Sequence, residues 1–341
     1  MIYKNLVRPL LFNMDAEEAH DLSLEIAHLT NENDFLQFLS SLIYGLDDPS
    51  LKRNLMGLTF PNPVGLAAGY DKNGITPYAM QALGFGFVEI GSITAQPSEG
   101  NPKPRAFRLP EDESLINRMG LNNQGAAAIV DRLKNYDLDI PLGVNIAKTN
   151  DASIHGDDAI QDYVFSYNKA LKTADYITIN ISCPNTGEGK TFEDPGALKD
   201  LLDAVNPSQN ETPTLVKFSV DTPKQILEDL ITICEDHDLD GYVATNTSSK
   251  RIGLKTSPAA VREIGNGGLS GAAIEEASTN MISWIRESVP SDRVIIGVGG
   301  IHDEDSARKK IDAGADLLQI YTALVYEGPG LVRRIKSSLL S

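Results

Sequence analysis

The sequence predicts an α/β fold, a (β/α)8 (TIM) barrel with a small N-terminal helical extension. Three observations predict it. From residue 50 onward, eight short apolar runs rich in β-branched residues alternate with amphipathic stretches of helical period. Continuous apolar strands separated by helices are parallel strands covered on both faces, and eight such units favour closure over an open sheet. The 341 residues suit one barrel, typically ~250 residues, plus an extension.

The runs are 63–69, 87–94, 142–148, 176–182, 214–220, 241–247, 294–300 and 317–324. Helices are expected near 74–83, 123–135, 157–173, 196–205, 223–236, 272–288, 303–313 and 328–339. A doubly wound sheet with a dinucleotide site is the competing architecture. It needs G-x-G-x-x-G on the first strand-to-helix turn. That turn reads Gly65-Leu66-Ala67-Ala68-Gly69-Tyr70, and Gly297-Val298-Gly299-Gly300 has the wrong spacing and sits on the seventh run. Residues 96–121 read as a long polar insertion after the second strand, the kind of loop that carries function.

Before the barrel, Ile2, Tyr3, Leu6, Val7, Leu10 and Leu11 recur at helical spacing, and a second apolar-periodic stretch runs from Leu22 to Leu39. This extension, residues 1–45 against a barrel of 46–341, reads either as a helical pair packed on the main domain or as a membrane-surface patch and gate for an apolar ligand. Asp15, Glu17, Glu18, Asp21 and Glu25 oppose attraction to an anionic membrane.

The formal net charge of −17 opposes nucleic-acid binding, which requires a basic footprint, and reads as solubility. The two cysteines, Cys183 and Cys234, supply neither a four-thiolate cluster nor a C-x-x-C pair, and a reducing, intracellular setting fits them. No metal site is expected, because the five histidines are scattered. Neither a secretory signal nor an apolar run of ~18 residues is visible.

Polar residues end the strands. Asp71-Lys72 follow the first run, Asn145 and Lys148 lie in the third, Asn180 lies in the fourth and leads to Cys183 and Asn185, Lys217 lies in the fifth, and Thr245-Asn246-Thr247 end the sixth. Any one alone reads equally well as a satisfied structural group. Five converging on one barrel mouth imply a polar ligand, since each unpaired buried group costs ~1–3 kcal/mol. Asn and Thr suit the imide, amide and carboxylate groups of a flat heterocycle. Lys217 is a candidate cation for a reduced, anionic ring. Gly299-Gly300, Tyr321-Thr322 and the pair Gly267-Gly268 offer a backbone phosphate site, although the glycines alone also read as ordinary turns. Flavin mononucleotide meets these demands together.

Several segments carry a family resemblance: 62–72, 89–94, Ile116-Asn117-Arg118-Met119-Gly120-Leu121-Asn122-Asn123, 180–185, 244–247, 267–271 and 296–301. On these residues the chain resembles the dihydroorotate dehydrogenases over nearly its whole length. The extension, with Arg8, Asp15, Ala19 and His20, resembles the quinone-dependent, membrane-associated class 2 branch, in which two small helices cap the barrel and guide quinone to the flavin. By resemblance, FMN is held by Ala68, Gly69, Tyr70, Asp71, Lys72, Ser92, Asn145, Asn180, Lys217, Thr245, Gly268, Gly299, Gly300, Tyr321 and Thr322. The substrate is held by Lys72, Asn117, Arg118, Met119, Gly120, Leu121, Asn180, Asn185, Asn246 and Thr247. Cys183 is the catalytic base, assisted by Lys72, while His20 and Arg108 line the quinone path. Class 2 enzymes carry Ser at the base position and class 1 enzymes Cys; Leu121 and Ala147 also depart from the class 2 Phe and Gly.

The resemblance implies FMN-dependent oxidation of (S)-dihydroorotate to orotate in de novo UMP biosynthesis, with quinone as acceptor. Fumarate or another acceptor, or another dihydropyrimidine as substrate, is the alternative. The expected protein is a monomer, peripheral on the inner face of the cytoplasmic membrane or, alternatively, soluble in the cytoplasm. Cys183 would remove the C5 proton, and a thiol with an unperturbed pKa of ~8.5 is a feasible base near neutrality.

Overall fold

The computed structural model describes residues 2–182 and 191–340. The chain opens on a π-helical turn (Tyr3–Val7), then α1 (Arg8–Phe12), α2 (Ala16–Asn31) and α3 (Asp34–Tyr44). A hairpin of β1 (Arg53–Leu55) and β2 (Leu58–Phe60) precedes β3 (Val64–Leu66), α4 (Pro77–Ala82) and β4 (Phe87–Ile93). Next come β5 (Ala106–Leu109), β6 (Ser114–Asn117), α5 (Ala126–Leu133), β7 (Leu142–Ile146), α6 (Asp157–Ala170) and β8 (Tyr176–Asn180). Then follow α7 (Pro195–Val205), β9 (Thr214–Phe218), α8 (Lys224–Asp236), β10 (Gly241–Ala244), α9 (Pro258–Ile264), β11 (Gly268–Gly271) and α10 (Glu275–Ser288). The chain finishes with β12 (Val294–Val298), α11 (Glu304–Asp312), β13 (Leu317–Ile320), α12 (Thr322–Glu327) and α13 (Gly330–Leu339).

Strands β3, β4, β7, β8, β9, β10, β12 and β13 close in that order into a barrel, each pair parallel. These are the eight apolar runs, so the predicted fold class stands. Strand alternation sorts the interior into layers. At the bottom, Phe87 and Tyr176 fill the barrel because Gly65 and Gly143 have no side chain: a Cβ there would lie 2.3 and 2.1 Å from those rings. Phe60, from the hairpin, closes this end edge-on against Phe87 at 5.4 Å. Above the aromatic plug sits a polar layer of Glu89, Thr178 and Gln319, all buried.

The apolar stretch 22–39 is two helices rather than one. Asn33 breaks it by accepting from the Leu36 N–H, a cap that starts α3. Asp15 caps α2 in the same way, accepting from the N–H groups of Glu17 and Glu18. The polar insertion 96–121 carries regular structure of its own. β5 and β6 form a hairpin, and β11 adds to β6 to complete a three-stranded antiparallel sheet. Leu109, Ile116, Leu269 and Ile274 give that sheet a small core of its own.

The extension packs on the barrel and is also exposed. Arg105 binds the buried Glu17 carboxylate through Nε (3.1 Å) and Nη2 (2.8 Å), and Lys103 Nζ adds a contact at 3.1 Å. Glu17 therefore contributes nothing to surface acidity. Tyr3 donates to the Val325 carbonyl, and Arg333 to that of Ile43, both at 2.8 Å. Yet of the fourteen exposed large apolar side chains among the described residues, eleven fall between Ile2 and Ile43. Among the described residues no helix is long and apolar enough to cross a membrane.

Candidate active site

A cavity of about 520 Å³ runs from the N-terminal helices to the strand ends at the barrel mouth. Its upper wall is largely apolar, with Val7, Leu11, Phe12, Ala27 and Leu83, and also carries Ser23, Thr30, Ser40 and Arg108. Its floor is polar and includes Lys72, Ser92, Asn117, Asn180, Lys217, Asn246 and Thr247. A smaller cavity of about 80 Å³ adjoins it, sharing Ala68, Lys217, Asn246, Thr247, Ser270 and Tyr321 and bounded by Gly299, Gly300 and Thr322. Strand-end polarity from four of the five strands, at Lys72, Asn180, Lys217 and Thr245-Asn246-Thr247, thus converges as expected in a barrel, whereas Asn145 and Lys148 of the third line neither cavity.

Where the two walls meet stand three rings. His20 lies 5.4 Å from Tyr70 and 6.1 Å from Tyr321, and Tyr70 lies 5.8 Å from Tyr321. Burial, with Lys72 nearby, lowers the His20 pKa to about 3, so the imidazole is neutral at pH 7. Burial pushes the Tyr70 phenol up to about 12 and Tyr321 higher still. An uncharged aromatic step therefore separates the apolar passage from the polar floor. Arg108 sits on the passage side, donating to the Met14 carbonyl at 2.8 Å and lying 4.8 Å from the Phe12 ring centre.

On the floor, Lys72 donates to the Gly69 carbonyl at 2.8 Å. Burial, followed by the Arg105 charge, lowers its pKa to about 8. Asn180 receives the Asn246 amide at 3.2 Å and gives its own amide hydrogen to Ser92 Oγ at 3.1 Å. Ser92 donates to Asn145 Oδ1 at 2.5 Å, and Asn145 Nδ2 donates to Glu89 Oε1 at 2.8 Å. The other Glu89 oxygen accepts from Tyr176 (3.2 Å), Thr178 (3.1 Å) and Gln319 (2.7 Å).

Some predicted site residues sit apart from the cavity walls. The Arg118 side chain points away from the cavity: it donates to the carbonyls of Ile264 (2.6 Å), Asn266 (2.9 Å) and Pro104 (3.1 Å) and lies over Phe107. Asp71 closes the turn after β3 by accepting from the N–H groups of Asn73, Ile75 and Thr76. Asn145 acts from behind Ser92. Gly268 abuts Thr247, whose Oγ1 would lie 2.0 Å from a Cβ there. Lys148 ties a loop, donating to the Asp151 and Ile154 carbonyls. Ala68, Gly69, Tyr70, Met119, Gly120, Leu121, His20 and Arg108 line the larger cavity; Thr245, Gly299, Gly300 and Thr322 line the smaller. Cys183 and Asn185 lie outside the described residues.

Sequence reasoning missed Glu89 and Gln319. The signal was a charged and an amide residue inside the runs 87–94 and 317–324, on the inward parity of their strands. No group of His, Cys, Asp or Glu among the described residues could hold a metal ion.

The residues fit a flavin nucleotide. Lys217 is buried at the floor, and Gln319, a lining residue of the smaller cavity, has a buried Oε1 without a hydrogen-bond partner. Gly299 and Gly300 have φ of +99° and +78°, and a Cβ on Gly300 would meet Glu275 Cα at 2.2 Å, so the loop is bare backbone at the smaller cavity.

The family model for dihydroorotate dehydrogenase matches residues 50–341. Among curated relatives, the dihydroorotate dehydrogenase (quinone) of Natronomonas pharaonis is 44% identical over 98% of this chain and 93% of its own. That of Chloroflexus aurantiacus is 41% identical over 100% and 97%. The crystal structure of DHODH from Eimeria tenella in complex with ferulenol superposes with a TM-score of 0.84 at 33% identity, covering 96% of this chain and 91% of that one. The chain belongs to the dihydroorotate dehydrogenase family.

Proposed function

We propose that the protein oxidises (S)-dihydroorotate to orotate with FMN and passes the electrons to quinone. The observation that carries this reading is the one continuous cavity with a polar floor and an apolar passage. A charged pyrimidine carboxylate suits the first and a quinone the second.

FMN would be held by Ala68, Gly69, Lys217, Thr245, Gly299, Gly300, Tyr321 and Thr322, and when bound it supplies the acceptor for the C6 hydride. The substrate lies against Lys72, Asn117, Asn180, Asn246 and Thr247, with Asn185 added from the resemblance. The Lys72 ammonium, charged below pH about 8, faces the carboxylate and the negative charge that grows as C5 loses its proton. Cys183 is the proposed base at C5. Neutral His20 and the Tyr70–Tyr321 pair exclude water between the substrate floor and the passage. The exposed apolar residues of the π-helical turn, α2 and α3 provide peripheral contact with a membrane, where quinone resides.

Anaerobic mixing with dihydroorotate tests the reading. Loss of the oxidised-flavin absorbance supports it, and no bleaching overturns it. Adding quinone or fumarate to the bleached enzyme then identifies the acceptor, with rapid recovery expected from quinone.

A further inference from the structure

We propose that Lys310, which touches neither cavity, is a buried positive charge that makes the Gly299–Gly300 loop select a phosphate-bearing ligand. It is thus a positioning and specificity residue, an inference that rests on the FMN reading above.

Lys310 lies on α11 and is fully buried. Its Nζ donates to the Glu275 carbonyl (2.7 Å), Ser278 Oγ (3.0 Å) and Thr279 Oγ1 (2.7 Å). Both hydroxyl hydrogens are committed elsewhere. Ser278 Oγ shares its single hydrogen between the carbonyls of Val298 (2.9 Å) and Gly299 (3.0 Å), and Thr279 Oγ1 donates to that of Glu275 (2.7 Å). Three acceptors with no hydrogen to give back require three N–H donors, and only the ammonium form has three.

Among the described residues all three hydrogen-bond partners of this cation are neutral, although the Glu275 charge nearby favours its protonated form. The nearby Glu275 carboxylate turns to Lys309 at 2.7 Å, with His302 at 3.7 Å, and offers Lys310 only its carbonyl. A buried, unpaired charge is costly, and burial lowers the Lys310 pKa to about 7. A salt-bridge partner would relieve that cost, and among the described residues Lys310 forms no salt bridge, the Glu275 carboxylate acting on it only at longer range. The charge is instead wired forward. Ser278 links Nζ to the Gly299 carbonyl, and Gly299 and Gly300 bound the smaller cavity. An anion there would supply the missing counter-charge through one hydroxyl and one turn of backbone.

The test is competitive retention of flavins by the full-length protein. Wild type and Lys310→Met are equilibrated with an equimolar mixture of FMN and riboflavin, and the retained ratio is measured. Wild type should favour FMN strongly, and the variant should lose that preference by ~5–150-fold, the usual range of coupling between sites, with riboflavin binding unchanged. Equal preference in the two proteins overturns the inference. So does parallel loss of both flavins with a lowered Tm, the outcome of a merely structural tie between α10 and α11. If the Met variant does not fold, Lys310→Gln keeps two donors without the charge and carries the same comparison. A wild type that retains neither flavin refutes the FMN reading rather than the role of Lys310.

Discussion

Asn145 gives an amide hydrogen to the Glu89 carboxylate at 2.8 Å while its carbonyl accepts from Ser92 at 2.5 Å. Because a carboxylate only accepts, Glu89 fixes the direction of every bond upstream: Asn246 to Asn180, Asn180 to Ser92, Ser92 to Asn145. The amide orientations at the barrel mouth are therefore set from the barrel centre. Glu89→Gln should fold, since Gln319 can turn its unpartnered Oε1 toward the new amide. What it removes is a buried negative charge. The midpoint potential of the bound flavin should rise, and kcat/KM for dihydroorotate should fall about tenfold or more, the worth of one charged hydrogen bond. Potentiometric titration and steady-state kinetics check this; neither quantity moving would remove Glu89 from the site's design.

The pH dependence of kcat/KM reports the free enzyme's groups. The lowered Lys72 pKa means that its ammonium is present below pH about 8 and lost above it, so dihydroorotate capture should decline on the alkaline side. With Cys183 as the proposed base, the profile should show a rising limb that moves or vanishes in Cys183→Ser. Lys72→Met should abolish the alkaline limb and cost ~100-fold or more in kcat/KM. An unshifted profile in both variants contradicts these assignments.

Thiol chemistry gives an independent check. The chain has two cysteines, and Cys234 is fully buried with its thiol pKa pushed well up by desolvation. Iodoacetamide should therefore modify one residue per folded chain, Cys183, with loss of activity and with protection by orotate. Modification of Cys234 in the native protein, or inactivation that orotate does not slow, counts against the base assignment.

Much of the barrel was legible because parallel strands buried on both faces leave unbroken apolar runs, such as 142–148. The strand-end residues Asn180 and Asn246 were legible for the complementary reason, a polar group where none is cheap. Two kinds of feature were hidden. Arg118 looked like a ligand by its neighbours in sequence, but the backbone turn aims its guanidinium at three carbonyls, a tertiary fact. Glu17 looked like surface acid until Arg105, distant in sequence, was seen to bury it. The β11 edge that completes the small sheet comes from 150 residues downstream of its partner strand, roughly, and no local pattern announces such a pairing.

The Glu17–Arg105 pair holds α2 over the passage. Hydrogen bonds from Arg105 and Lys103 outweigh the burial that opposes them and keep the Glu17 carboxyl below its ordinary range. Removing one partner of a buried pair costs about 3–5 kcal/mol. The barrel does not depend on α2 for closure, so Glu17→Ala should loosen the extension first. Limited proteolysis should cut earlier within residues 13–50, and quinone reduction should fall while flavin reduction by dihydroorotate persists. Equal loss of both half-reactions would show that α2 supports the substrate floor as well.

Membrane contact, if it is made by the exposed face of the extension, must be apolar in origin. The chain carries a net charge of −17, and Phe35 and Phe38 are 69% and 59% exposed on α3. Burying one such ring in the interface is worth ~1.5–3 kcal/mol, roughly tenfold or more in partition. Binding to zwitterionic vesicles should therefore withstand added salt, since screening acts only on charge attraction. Phe35→Glu with Phe38→Glu should lower vesicle cosedimentation by about a hundredfold without altering flavin bleaching by dihydroorotate. Binding that requires anionic lipid and dissolves in salt would point instead to a basic surface, which the sequence of the extension, with Lys4 and Arg8 as its only lysine and arginine before residue 50, does not supply.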